Sequence, residues 1–414
     1  MGNIKGFSCV ACDNTMPPSP QLVYECDKCG ANLQVTYDYE ALKKKLSPEY
    51  FKGISRRDVW RYIDLLPVSE DSPKPPLTIG WTPIYEVKRL GKELGHENLF
   101  IKDESRNPSA SFKDRASSVA LVKGLELEAE VMTGASTGNA GSSMACLAAS
   151  MGISPVIFVP EKAPKAKVAQ LLLFGAKVLA VRGTYDQAFD LCLEATRKYG
   201  WYNRNTGYNP YTREGKKTCS LEIAEQFDWQ VPDVVAVSVG DGNIISGLWK
   251  GFKDLLAVGL IDRLPRLLAV QSSKSNAVAQ AFSKGLDEVE PVSATTIADS
   301  ISVDLPRDGL AALNAVKESK GFAVEVSDET ILSTIATCAR FSGVFGEPAG
   351  VTAVAGVEEA AKQGLLQKEW KVVTVMTGSG LKDVDSALKA AGEPMKVDPD
   401  PSKLEEISKM VKGK

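Results

Sequence analysis

The stretch DVVAVSVGDGNIISG, Asp233–Gly247, begins with unbroken apolar or small residues over Val234–Val239. It then passes glycines at 240 and 242 and enters a helical pattern at Ile244 and Ile245. Apolar residues without alternation mark a strand covered on both faces, and a glycine turn leading into a helix suits a parallel sheet. The same texture recurs in NLFIKD (98–103), AEVMTGAS (129–136), PVIFVP (155–160), KVLAVRG (177–183), RLLAVQS (266–272) and WKVVTVMTG (370–378). Between most of these runs lie helical patterns such as AKVAQLLLFG (166–175) and DQAFDLCLEATRKYG (186–200). The pattern predicts an α/β fold with parallel sheets. It is too long for one comfortable core, so two lobes with a site between them are expected.

Two further strands end in the same way. GASTGNAGSS (134–143) follows one and TGSGLKD (377–383) follows another. At a helix start the unpaired N–H groups and the dipole favour an anion, and glycine lets it approach. Taken singly, each turn is only what tight α/β connections use. None matches a nucleotide signature such as G-x-x-x-x-G-K-[ST].

A lysine stands out beside them. In NPSASFKDRA (107–116), Lys113 sits where a proline turn gives way to a helix. The 414-residue chain has a single histidine, His96, in LGHEN (94–98), where it reads as a surface loop residue. One histidine argues against a Ser-His-Asp triad and against most catalytic zinc sites, leaving lysine, carboxylate or cofactor chemistry.

Upstream, CVAC and CDKC place Cys9, Cys12, Cys26 and Cys29 in a C-x2-C-x13-C-x2-C pattern, with Gly30 behind the second pair. Paired two-residue spacers present two thiolates each to one tetrahedral ion, so residues 1–35 read as a structural zinc ribbon. Iron and disulfides are the lesser alternatives. Cys146, Cys192, Cys219 and Cys338 lie in apolar helical patterns and read as core. Residues 36–76 read as an arm of short helices ending in a Pro-rich connector, and 396–414 as a tail.

The remaining composition is ordinary: 44% hydrophobic, 24% charged, net charge -3. It gives no reason to expect nucleic acid or anionic lipid as a partner. No run approaches a membrane span, the start lacks a signal-peptide core, and a cytoplasmic location is expected.

These motifs carry a resemblance. NPSASFKDRA resembles the lysine motif of the threonine synthases, commonly NPTGSFKDRG, within the fold-type II enzymes that use pyridoxal phosphate. STGNAGS is similar to their asparagine loop, and VGDGNIISG to the glycine loop that related dehydratases write VGGGGLISG. GVFGEPAG (343–350) and TGSGLKD match further family segments. The resemblance implies that Lys113 holds the cofactor covalently and shuttles protons, with Phe112 beside the ring. It implies that Gly240, Asp241, Gly242, Asn243 and Ile244 cradle the cofactor phosphate. Asn139 is expected at the ring 3-oxygen and Thr377 at the pyridine nitrogen. Ser136, Thr137 and Gly138, with Asn139, are expected to receive the substrate carboxylate. Asp241 in a phosphate loop is odd unless its charge points away, and Asp114 and Arg115 are expected to pair with each other or with the helix. The resemblance places the large lobe at 77–117 and 205–395 and the small, mobile lobe at 118–204. It also implies a homodimer.

One segment departs from the pattern. NTGYNPYTREGKKT (205–218) has Thr212 where the family carries an arginine expected to bind the substrate phosphate, and Arg213 comes one step later. A one-residue shift turns a helical side chain by about 100°. Lys216 and Lys217 read either as substitute charges or as helix-surface residues. Three functions stay open: threonine synthase; a dehydratase, ammonia-lyase or β-replacement enzyme without the clamp; and a non-catalytic zinc-ribbon binding protein.

Overall fold

The computed structural model describes residues 4–19 and 21–412. Strands β1 (Ile4–Cys9), β2 (Thr15–Met16) and β3 (Leu33–Tyr37) form an antiparallel sheet in the order β2-β1-β3. Cys9 ends β1, and the other three cysteines lie in the turns beside it. Gly30 has φ 73°, a left-handed turn that glycine adopts without strain. Helices α1 (Tyr39–Lys45) and α2 (Pro48–Lys52) and a 3-10 stretch, Val59–Leu65, then make the expected arm. Asp38 and Ser47 cap α1 and α2 by accepting backbone N–H groups.

Strands and helices then alternate. They run β4 (Ile84–Glu86), α3 (Lys88–Glu93), β5 (Leu99–Asp103), α4 (Lys113–Glu126), β6 (Met132–Ala135) and α5 (Asn139–Ser150). Next come β7 (Val156–Pro160), α6 (Lys165–Leu173), β8 (Lys177–Val181), α7 (Tyr185–Tyr199), β9 (Tyr202–Asn203) and α8 (Pro210–Gln226). After these follow β10 (Val234–Ser238), α9 (Asn243–Ala257), β11 (Arg266–Ser272), α10 (Ala277–Ser283) and α11 (Gly309–Glu318). The last are β12 (Phe322–Val326), α12 (Asp328–Ser342), α13 (Pro348–Lys362), β13 (Val372–Met376), α14 (Val384–Ala391) and α15 (Leu404–Val411).

Two sheets result. A six-stranded sheet has the order β12-β11-β10-β13-β5-β4, parallel except for β4 against β5. A four-stranded parallel sheet has the order β8-β7-β6-β9. Strands β10 and β13, central in the larger sheet, are buried at every residue, as their unbroken apolar runs require. The four apolar-patterned cysteines are all buried.

His96 is not a surface residue: it is buried, and its Nε2–H reaches the carbonyl oxygen of Trp370 at 2.9 Å. Gly91 and Gly95 let the chain fold back there, so the loop packs inward.

Helix α8 is buried at every position from Pro210 to Ala224 although it carries Arg213, Glu214, Lys216, Lys217 and Glu222. The helix-surface reading of Lys216 and Lys217 is therefore overturned. Helix α8 is enclosed by α4, α9 and the ribbon strand β3, and ion pairs make its charges other than Lys216 tolerable inside. Lys217 meets Glu214 at 2.6 Å and Asp254 at 2.8 Å. The ribbon sits directly on this region. Tyr24 stacks on Tyr208 at 4.2 Å, its hydroxyl accepts the Asn203 N–H at 2.6 Å, and Asn32 donates to Asp308 at 3.0 Å.

Candidate active site

Lys113 is the first residue of α4 and is half-buried. The turn before it is held from two sides. The Ser109 N–H and hydroxyl donate to the two oxygens of Asp114 at 2.7 and 2.5 Å. The Phe112 N–H donates to the Thr377 carbonyl at 2.8 Å, and Ser379 N–H to Ala110 at 3.1 Å. The lysine turn and the end of β13 are thus stitched backbone to backbone. Phe112 is fully buried in the core that α4 shares with α8. Asp114 and Arg115 do not pair with each other: Arg115 reaches Glu104 and Glu222, both at 2.6 Å. Successive helical residues point about 100° apart, which sends them to different neighbours.

The Lys113 ammonium has no hydrogen bond or ion pair among the described residues. Burial lowers its pKa, the Arg204 guanidinium lowers it further, and Glu347 and Asp241 oppose this.

Asn139 opens α5 behind the N-cap Gly138, and its side chain donates to Glu347 at 2.7 Å. The Ser136–Gly138 turn closes tightly: Ser136 Oγ accepts the Gly138 N–H at 3.2 Å. A Cβ on Gly141 would lie 2.1 Å from the Ser136 carbonyl oxygen, so no side chain fits there. Thr377 is buried, and Gly378 leaves room for Glu347, whose Oε1 would lie 2.4 Å from a Cβ there. Glu347 is the N-cap residue of α13, and burial pushes its carboxyl up to about 7 against the pull of Asn139 and Lys113. Asn139, Glu347, Lys382 and Asp299 line an opening of about 300 Å³, and Lys167 pairs with Asp299 across it at 2.6 Å.

The glycine turn after β10 opens α9. Gly242 has φ 87°, and a Cβ on it would meet the Asp308 carbonyl oxygen at 2.7 Å; on Gly240 it would meet Ile301 Cα at 2.8 Å. The two glycines let the turn pack this closely, and the first N–H groups of α9 have no partner within the helix. Asp241 turns its carboxylate to the Arg307 N–H at 3.2 Å, which resolves its odd place in the loop. Asn243 is held on both sides, accepting from Lys216 at 2.5 Å and donating to Asp308 at 2.7 Å.

The expected residues Lys113, Asn139, Thr377 and the 240–244 turn thus lie at the carboxyl ends of strands from the two sheets. Ser136 and Thr137 lie beside Asn139. Three neighbours went unassigned in the sequence. Glu347 carries a signal, a glutamate before the proline that starts α13. Lys382 follows the last glycine turn and donates to Ser142 at 2.9 Å. Arg204 has no such mark, since a cation at a strand end is unremarkable until the fold buries it.

Residues 76–378 match the model of a family described as pyridoxal-phosphate dependent enzymes. The chain is 38% identical over 405 residues to a threonine synthase from Methanocaldococcus jannaschii, covering 97% of this chain and 98% of that one. A threonine synthase from Methanosarcina acetivorans is 36% identical over 401 residues, covering 95% and 96%. Among solved structures, the processed threonine deaminase isoform 2 of Solanum lycopersicum superposes with TM-score 0.65 at 21% identity, covering 86% of this chain and 89% of that one. Maize serine racemase gives 0.63 at 22%, covering 80% and 93%; at such identities the likeness speaks to the fold.

Proposed function

The chain belongs to the pyridoxal-phosphate dependent enzymes, within the threonine synthase family, and from that premise we propose that it converts O-phosphohomoserine and water to threonine and phosphate. It is a lyase. The γ C–O bond breaks with its electron pair leaving on phosphate, and water adds at the β carbon.

The residues present fit the cofactor. An aldehyde needs an amine, and Lys113 offers one that is half-buried, unpaired and of lowered basicity. A phosphate suits the unpaired N–H groups at a helix start, and the Gly240–Ile244 turn leads into the first turn of α9. Bound there, the cofactor would hold the substrate amine covalently and draw off the electrons released as bonds at the α and β carbons break. Lys113 Nζ takes the protons from the α and β carbons and returns protons to the γ carbon, which becomes the methyl group, and to the α carbon. Asn139, held by Glu347, would meet the ring's oxygen edge, and Thr377 would offer its nitrogen a neutral hydroxyl. Such a hydroxyl moderates electron withdrawal and suits elimination over transamination. The Ser136–Asn139 turn takes the substrate carboxylate.

The observation that carries this reading is the free, half-buried Lys113 ammonium beside three strand-end turns. The test is turnover. O-phosphohomoserine should give threonine and phosphate in equal amounts, while serine, threonine and O-phosphoserine give little ammonia. Ammonia from hydroxy amino acids with phosphohomoserine inert would favour the second reading, a dehydratase or β-replacement enzyme. One observation supports that alternative: Thr212 stands at the arginine position, and Arg213 is held by Asp308 at 2.5 Å.

Three further assignments belong to the proposal. The Sγ atoms of Cys9, Cys12, Cys26 and Cys29 lie within 4.8 Å of one another, with pairs at 3.4 and 3.8 Å. A zinc–sulfur bond of about 2.3 Å sets tetrahedral edges near 3.8 Å, so the set suits a structural zinc ion. Metal analysis should give one zinc per chain, lost in Cys26→Ser. The four-stranded sheet is taken as the smaller lobe within 118–204. Homodimerisation rests on the resemblance, and gel filtration tests it; a cytoplasmic location rests on the sequence reading above. No helix among the described residues is long and apolar enough to cross a membrane.

A further inference from the structure

Arg204 follows β9 and is 3% exposed; Lys216, on α8, is fully buried. The two side chains share one acceptor, Thr206 Oγ1, at 3.3 Å from Arg204 Nη1 and 3.3 Å from Lys216 Nζ. Arg204 Nε donates to Ser117 at 3.1 Å, and its Nη2 is buried with no partner. Neither cation forms an ion pair among the described residues. The carboxylates in electrostatic range are Asp308, Asp241 and Asp114. Asp308 is already paired with Arg213, Asp241 bonds the Arg307 N–H, and Asp114 bonds Ser109. A buried guanidinium with an idle N–H beside a buried lysine amine is suited to hold an anion.

The site adjoins the turn assigned to the cofactor phosphate but is built from the other sheet. The glycine turn lies at the end of β10, in the six-stranded sheet. Arg204 lies at the end of β9, in the four-stranded sheet. Its partner Ser117 is one helical turn beyond Lys113, on the same face of α4. Lys216 stands between, bonded to Asn243 of the turn and to Thr206.

Resting on the functional reading above, we infer that Arg204, through its free Nη2 and with Thr206 and Lys216, binds the phosphate ester of the substrate. The task that the family gives to an arginine at position 212 has moved from helix α8 to the end of β9. Arg204 is then the residue that selects a phosphorylated over a free hydroxy amino acid.

The experiment compares wild type, Arg204→Gln and Arg204→Lys as holoenzymes. Cofactor content is read by absorbance, steady-state constants with O-phosphohomoserine, and inorganic phosphate affinity by calorimetry. Arg204→Gln should keep its cofactor while KM and the phosphate dissociation constant both rise about ten- to a hundredfold, the range of a lost charge-assisted pair. Arg204→Lys should fall between, because it keeps charge and loses the planar fork. Unchanged KM and phosphate affinity would overturn the inference, and so would loss of the cofactor in parallel, which would give the anion to the cofactor. If Arg204→Gln does not fold, Arg204→Lys and Thr206→Val decide by the same readings. A wild type inert toward O-phosphohomoserine would instead overturn the functional reading, and the phosphate titration would still decide for or against Arg204.

Discussion

Two sets of cations are buried against helix α8, and the fold treats them in opposite ways. Near its C-terminal half, Arg115 and Lys102 are matched by Glu104 and Glu222, every side chain fully buried and every pairing between 2.6 and 2.8 Å. Burial alone would raise Glu222, yet Arg115 and Lys102 hold it at about 2. Near its N-terminal half, Arg204 and Lys216 share a threonine hydroxyl and have no carboxylate. Burial, then the neighbouring Lys113 and Arg204, push the Lys216 amine well below its ordinary value, the sign of a cation held without compensation. The first set is complete and locks α4, α8 and β5 together. The second is incomplete and costs stability unless an anion joins it. A compensated cluster marks structure, and an uncompensated one marks a binding site.

Breaking the complete cluster should have the largest effect. Arg115→Leu leaves Glu104 and Glu222 buried without their partner and should cost about 3–5 kcal/mol in chemical denaturation. An unchanged midpoint would remove the contrast. Glu347, on the ligand side, should show the next largest. Its folded pKa of about 7 lies above the ordinary 4.5, so the folded apoprotein binds the extra proton. Its contribution is present below pH 4.5 and is lost as pH rises through 7, by about 3 kcal/mol across that window. In Glu347→Gln that slope should vanish.

Removing a cation from the incomplete cluster should act in the opposite sense to Arg115→Leu. Lys216→Met should stabilise the apoprotein by about 1–3 kcal/mol while weakening phosphate binding. A loss of apo stability would show that Lys216 is compensated after all. The smallest effect is expected at the turn before Lys113. Ala110 has φ 59°, where the related motif carries glycine. Ala110→Gly should relieve left-handed strain of about 1 kcal/mol, partly offset by glycine's greater chain entropy, and leave the melting temperature level or slightly raised.

The same contrast explains what could be read in the sequence. Seven strands were visible as unbroken apolar runs; six of them are largely buried, but Lys177–Val181 is an edge strand with Lys177, Leu179 and Ala180 exposed, so its expected cover on both faces is not met. Phe322–Val326 was missed because it is an edge strand, alternately half-buried, that carries Glu325. Tyr202–Asn203 was missed because two residues make no pattern. The glycine turns and Lys113 were legible since their chemistry depends on residue type at one place in the chain. Helix α8 was not: Arg213, Lys217 and Glu222 look solvated until Asp308, Asp254 and Arg115, all more than thirty residues away, pair with them. Arg204 needed the opposite observation, a fold that brings it hydroxyls but, among the described residues, no carboxylate partner.

The central claim is that Lys113 is the amine that holds pyridoxal phosphate. Borohydride reduction of the holoenzyme, followed by peptide mass spectrometry, tests it directly. The account predicts a single pyridoxyl label on the peptide containing Ser111–Arg115, carried by Lys113. A label on Lys216 or on a surface lysine, or none at all, would contradict it.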